Sequence, residues 1–166
     1  MPATYEPIQT YTLGSSASSI TFSSIASSWT DLKLVVVPLA ASSADGWDML
    51  LRFNNDSSSL YSSTLLRGNG SSADSSRYTS VTSLKSATGL NQTIPFFWSY
   101  DIFSYAGSTN KTALYSVSAD TNGGGVKAQW VGLYRSTTAI SRIDILPEVG
   151  SFNTGTTATL YGIKNA

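Results

Sequence analysis

Cysteine and histidine are both missing from these 166 residues. Without cysteine there is no disulfide framework, no thiolate metal site and no cysteine nucleophile. Without histidine the commonest general base near neutral pH and the commonest metal ligand go as well. Carboxylates, lysines, tyrosines and hydroxyls are then the only groups left for chemistry, so the expectation is a protein that is not an enzyme and that uses no cofactor and no metal. Charge is also scarce. Ten Lys and Arg balance ten Asp and Glu, and the charged fraction is 12%, about half of the roughly 25% of ordinary soluble domains. The basic residues stand singly from Lys33 to Lys164, too dispersed to neutralise a run of phosphates, so nucleic acid is not an expected partner. Nor is a membrane: the longest apolar run, Leu34 to Ala41, is interrupted by Pro38 and falls far short of a span. The opening Met1-Pro2-Ala3-Thr4-Tyr5-Glu6 lacks the basic and apolar regions of a secretory leader.

What the chain does have is hydroxyls: 30 Ser and 19 Thr. Such a surface hydrogen-bonds but carries little net field, which predicts short-range, shape-dependent contacts with little sensitivity to salt. The Ser-rich tracts do not imply disorder, because a hydrophobic fraction of 41% with 11% aromatics supplies enough apolar area for a core.

Period-2 alternation recurs along the chain, whereas helical periodicity is hard to find. Residues 1–13 carry Pro2 and Pro7, which restrict them to an extended arm or edge strand. Residues 14–166 read as a single domain. Leu32 to Leu39 is the most apolar stretch, with Leu32, Leu34 and Val36 on one side, and predicts a central strand ended by Pro38. Met49 to Phe53 follows as a strand, closed by the turn-forming Asn54-Asn55-Asp56-Ser57. Residues 57–92 are ambiguous, since Tyr78, Val81 and Leu84 recur every three positions and fit either a short helix or a long excursion. Between Ile94 and Tyr105, Phe97, Ser99, Asp101 and Phe103 alternate against Phe96, Trp98, Tyr100 and Ile102. Thr112–Ser118, Lys127–Tyr134, Ile140–Leu146 and Ala158–Ile163 complete the set. Eight or nine strands without intervening helices predict an all-β fold, an antiparallel two-sheet β-sandwich with jelly-roll connectivity; an up-and-down barrel is the alternative.

Candidate chemistry is sparse. Asp45-Gly46-Trp47-Asp48 places two carboxylates beside an indole, too few oxygens for calcium, and reads as a tight turn. Asn54-Asn55-Asp56-Ser57 lacks the glycine and terminal glutamate of a calcium loop. Asp101 with Asp144, or Asp144 with Glu148, would be the carboxylate pairs of a glycosidase, yet ten acids in a β domain offer such pairs by chance. Gly123-Gly124-Gly125 precedes a strand and lacks the Lys-Ser/Thr of a phosphate cradle. No catalytic, cofactor-binding or metal residue is assigned. Candidate interface residues are Pro2, Tyr5, Pro7 and Tyr11 in the N-terminal segment, suited to strand addition, and Trp29 and Trp47, set among Ser, Asp and Gly, which fit core packing and a subunit interface or sugar ring equally well.

Tyr134-Arg135-Ser136-Thr137-Thr138-Ala139-Ile140-Ser141-Arg142-Ile143, followed by Phe152-Asn153-Thr154-Gly155 and Leu160-Tyr161-Gly162-Ile163, resembles the ending of a group of small tailed-bacteriophage virion proteins, including cyanophage ones. Met1 to Ile8 and Leu51-Arg52-Phe53-Asn54-Asn55-Asp56 are similar to the same group, which often has Gly where Asn55 stands. The resemblance implies a particle component, either a capsid decoration (cement) protein or a tail-fibre module, and carries over no catalytic residue. It leads to an expected head decoration protein, made in the host cytoplasm and located on the outer surface of the virion. Its expected partners are the major capsid protein and copies of itself in a homotrimer. The alternative is a tail-fibre or receptor-binding module that recognises host cell-surface glycan; the absence of a shaft or attachment segment weighs against it.

Overall fold

Leu32, Leu34 and Val36 are completely buried while Lys33, Val35 and Val37 between them are only half-covered, the signature of a strand packed on one face. This strand, Asp31–Val37, ends at Pro38, which has no N–H to donate. Beyond it the Leu39 N–H donates to the Thr156 hydroxyl at 2.9 Å instead of to a neighbouring strand. The computed structural model describes residues 5–40, 48–86, 94, 96–120 and 122–164, and contains no helix among them.

Twelve strands are present among the described residues: β1 (Tyr5–Thr12), β2 (Ile20–Phe22), β3 (Asp31–Val37), β4 (Met49–Phe53), β5 (Tyr61–Gly68), β6 (Ala73–Val81), β7 (Leu84–Ser86), β8 (Phe97–Phe103), β9 (Lys111–Asp120), β10 (Gly125–Tyr134), β11 (Ile143–Pro147) and β12 (Thr157–Ile163). They form two antiparallel sheets. One has eight strands in the order β1-β12-β3-β8-β9-β10-β5-β6, and the other four in the order β2-β11-β4-β7. The ambiguous residues 57–92 thus contribute three strands where a helix was one of the two readings. The expected central strand, β3, is third in the larger sheet, and β1 (Tyr5–Thr12) stands at its edge.

Both sheets contribute to one buried cluster, Leu34, Trp98, Tyr115 and Trp130 from the larger and Phe22, Leu51, Phe53 and Ile145 from the smaller. A run of rings crosses its interior. Tyr100 stacks on Tyr115 at 4.8 Å, Tyr115 on Trp130 at 5.5 Å, and Trp130 on Tyr78 at 6.0 Å, so four strands are tied by aromatic contact as well as by the ladder. The Tyr115 hydroxyl links the sheets, 3.0 Å from both the Ser63 hydroxyl and the Lys85 carbonyl.

The Asn54 turn works through its side chains, as expected. Asn54 and Asn55 both have positive φ, which Asn tolerates better than most residues. Asn54 Oδ1 accepts from Ser141 N–H at 2.9 Å, and Asp56 Oδ1 from Ser58 N–H at 2.8 Å. Tyr61 and Tyr134 stack 4.6 Å apart behind this turn, and the Tyr134 hydroxyl donates to Asp56 Oδ2 at 2.7 Å.

Candidate interaction face

Because side chains alternate across a strand, the residues not facing the core of the eight-stranded sheet form one continuous outer surface. The ladder register aligns them in rows. One row runs Pro7, Tyr161, Lys33, Asp101 and continues through Leu114, Val131, Thr64 and Arg77, one residue from each strand. A neighbouring row contains Val35, Ser99, Ser116, Gln129, Leu66 and Ser75.

Seven large apolar side chains stand exposed among the described residues: Tyr5, Leu66, Phe97, Phe103, Leu114, Val131 and Val149. The first six lie on this outer face, with Leu66 the most open at 62%; Val149 lies in the turn after β11. Scattered exposed apolar residues are ordinary, but six on one sheet face make it the candidate contact surface. Hydroxyls stand between them, Lys33 Nζ sits 2.6 Å from Asp101 Oδ1 at the middle of the face, and Lys127 and Arg77 add positive charge on its β10–β5–β6 side. Arg77 donates to the Thr64 hydroxyl at 3.0 Å. Two shallow depressions mark the β10–β5–β6 side of the face. One of about 250 Å³ lies between Thr64, Arg77, Thr112 and Val131, and one of about 350 Å³ between Leu66, Gly68, Ala73 and Gln129.

The sequence-predicted interface residues are distributed unevenly. Tyr5 and Pro7 lie on β1 at the rim of this face, both exposed. Tyr11 is on the same strand but turns toward the interior, its ring 5.2 Å from Phe22 in an edge contact. Trp29 is half-buried. A Cβ at Gly162 would lie 2.1 Å from the Trp29 ring, so the indole occupies the space that the missing side chain vacates. Lys164 Nζ lies over the ring, 4.6 Å from its centroid, a cation–π contact. The Trp29 N–H donates to the Tyr105 hydroxyl at 3.3 Å, and that hydroxyl donates in turn to the Ala26 carbonyl. Pro2 and Trp47, like Asp45 and Gly46, lie outside the described residues.

The carboxylates considered for catalysis have structural partners. Asp101 is bound to Lys33 on the larger sheet, and Asp144 on the smaller one receives Arg142 at 2.7 Å and the Thr21 hydroxyl at 2.8 Å. Lys85 bridges Asp48 and Glu148 at 3.0 and 2.7 Å; desolvation works against its charge, but the two carboxylates outweigh it and its pKa is raised. The buried Lys111 ammonium donates to the Gly107 carbonyl at 2.6 Å and also to those of Thr109 and Thr137, fastening the β8–β9 turn to the segment after β10. Burial lowers its pKa.

The residues that sequence reasoning missed are Leu66, Leu114 and Val131, together with the outward orientation of Phe97 and Phe103. One signal was present: Phe97 and Phe103 share their alternation set with Ser99 and Asp101, whereas the opposite set is wholly apolar from Trp98 to Ile102 apart from tyrosine hydroxyl. Comparison with protein-family models, with curated proteins and with solved structures finds no match to this chain.

Proposed function

We propose that this chain is a structural protein of a tailed-bacteriophage particle, a head decoration protein that seats the outer face of its larger sheet on the capsid and holds neighbouring coat subunits together. The observation that carries this reading is the presence of six exposed apolar side chains on one hydroxyl-rich sheet face. Such a face suits docking by fit, with apolar side chains set among hydrogen-bonding groups. Binding only to the assembled shell stabilises it by mass action, without bond-making chemistry. The sequence resemblance to phage virion proteins supplies the partner, the major capsid protein. Copies of the chain gather on the particle as homotrimers around a local symmetry axis.

The fold reading that accompanies this proposal is a β-sandwich with jelly-roll connectivity, and strand order supports it. With the hairpins β5–β6 and β9–β10 set aside, eight strands remain in the orders β1-β12-β3-β8 and β2-β11-β4-β7. Renumbered along the chain these are 1-8-3-6 and 2-7-4-5, the interleaved order of a double Greek key, an architecture common among capsid proteins. The two hairpins then act as an extension that widens the first sheet and carries Leu66, Leu114 and Val131.

Quantitative composition of purified particles tests the proposal. Hundreds of copies per particle, with loss of thermal stability on stripping and recovery on adding the protein back, are expected. The variant Phe97→Ser/Leu114→Ser/Val131→Ser should stay folded and fail to restore the particles. A few copies per particle together with binding to host envelope glycan would replace this reading with the tail-fibre module.

A further inference from the structure

The two edges of the eight-stranded sheet are built differently. At one edge β1 carries Pro7, and the register slips between Pro7 and Gln9. Proline removes a donor and a bulge bends the strand, two devices that stop another strand from adding there. At the other edge β6 reads Ala-Asp-Ser-Ser-Arg-Tyr-Thr-Ser-Val, with neither proline nor glycine. Its irregularity is confined to the far end, where the pairing shifts between Tyr61 and Ser63 and Ser80 has a positive φ. From Ala73 to Tyr78 it pairs residue by residue with β5.

This stretch is bare on both faces. Ala73 through Arg77 are all exposed, on the side of the smaller sheet as well as on the outer side, so nothing obstructs an added strand. Its two charges are turned back into their own sheet: Arg67 grips Asp74 through two bonds of 3.0 and 3.1 Å, and Arg77 holds Thr64. They do not guard the edge as outward lysines do.

We propose that β6 is a self-pairing edge, which joins antiparallel to β6 of a second copy of this chain about a two-fold axis through Ser76. In that register Ser76 faces Ser76 of the second copy, Ser75 faces Arg77, and Asp74 faces Tyr78, so no like charges oppose each other. An axis at Arg77 or Asp74 would instead set like charges face to face. The register also resolves the exposure of Leu66, which lies directly across from Ser75. A short serine leaves Leu66 open, and the incoming Arg77, exchanging its own Thr64 for this contact, would lay its aliphatic stem over it. Two eight-stranded sheets then become one continuous sheet. A ladder this short buries less area than a standard stable interface, so the pair forms in a concentration-dependent way. The contact is two-fold and does not depend on the virion reading; on a shell it would link neighbouring trimers.

The chain's lack of cysteine gives a clean test. Ser76→Cys, oxidised in air, should yield a covalent dimer on denaturing gels, since directly opposed residues in an antiparallel pair fall within disulfide reach. Ser72→Cys, which faces residue 80 of the second copy in this register, should remain monomeric. Ser76→Lys, which sets two ammonium groups on the axis, should remove the dimer seen in sedimentation of the unaltered protein at high concentration, with circular dichroism and melting unchanged. A folded Ser76→Cys that stays monomeric, or a Ser72→Cys that cross-links equally well, overturns the proposal.

Discussion

Gly162 and Trp29 show how one residue's missing atoms fix another's position. The indole lies where a side chain at 162 would project, and the nearest ring atom would be 2.1 Å from an added Cβ. A rigid, half-buried bicycle cannot yield as a leucine tip can. Gly162→Ala should therefore cost about 1–3 kcal/mol by overpacking, read from urea unfolding. In a double mutant with Trp29→Ala most of that cost should disappear, because the clash has no second party; additive costs would show that the strain lies in the backbone of β12 instead. Asp56 allows a prediction of opposite character. Hydrogen bonds from the Ser58 side chain and N–H, and from Tyr134, hold its carboxyl below the ordinary value of 3.8. A depressed folded value means that the unfolded chain takes up the proton first as pH falls. The contribution of the ionised group to stability is then fully present above about pH 5 and is lost as pH drops through the lowered value. The stability difference between the protein and Asp56→Asn should be flat above that point and shrink below it, as chemical unfolding across pH 2–6 would record.

At the scale of elements, legibility in the sequence followed burial. The strands β3 and β8 alternate clearly because one face of each is buried and the other is not, and their inward sets were readable from Leu32, Leu34 and Val36 and from Trp98, Tyr100 and Ile102. The hairpin β5–β6 was not readable. Most of β6 is exposed on both faces, so no selection for alternation acts on it, and the three-residue spacing of Tyr78, Val81 and Leu84 imitated a helix. In the structure those three residues belong to β6 and β7, separated by the break at Thr82 and Ser83. The candidate face was hidden for a related reason. An apolar residue in a strand looks the same whether it points at the core or at solvent, so Leu114 and Val131 carried no mark of exposure. Trp29 was obscured from the other direction. Its serine neighbours implied a loop, but its packing partner is a glycine near the far end of the chain. Within the N-terminal segment, residues 5–12 form the edge strand β1 and pair with β12 on both sides of the slip between Pro7 and Gln9.

The whole molecule should behave as one cooperative unit, because a single buried cluster draws on both sheets and the Tyr115 hydroxyl bridges them. Denaturant unfolding followed by tryptophan fluorescence, which reports mainly on buried Trp98 and Trp130, should coincide with far-ultraviolet circular dichroism. Two separated transitions would show that the β5–β6 and β9–β10 hairpins melt independently of the remaining strands. Among the described pairings, the longest in sequence joins β1 to β12, with Tyr5 opposite Ile163, and β12 also fills the space between β1 and β3. During synthesis, then, β1 emerges long before its partner and waits unpaired until β12 follows. Chains stalled short of Thr157 would lack the strand that stands between β1 and β3, and would present both of those strands unpaired on that side to whatever chaperone or protease meets them first.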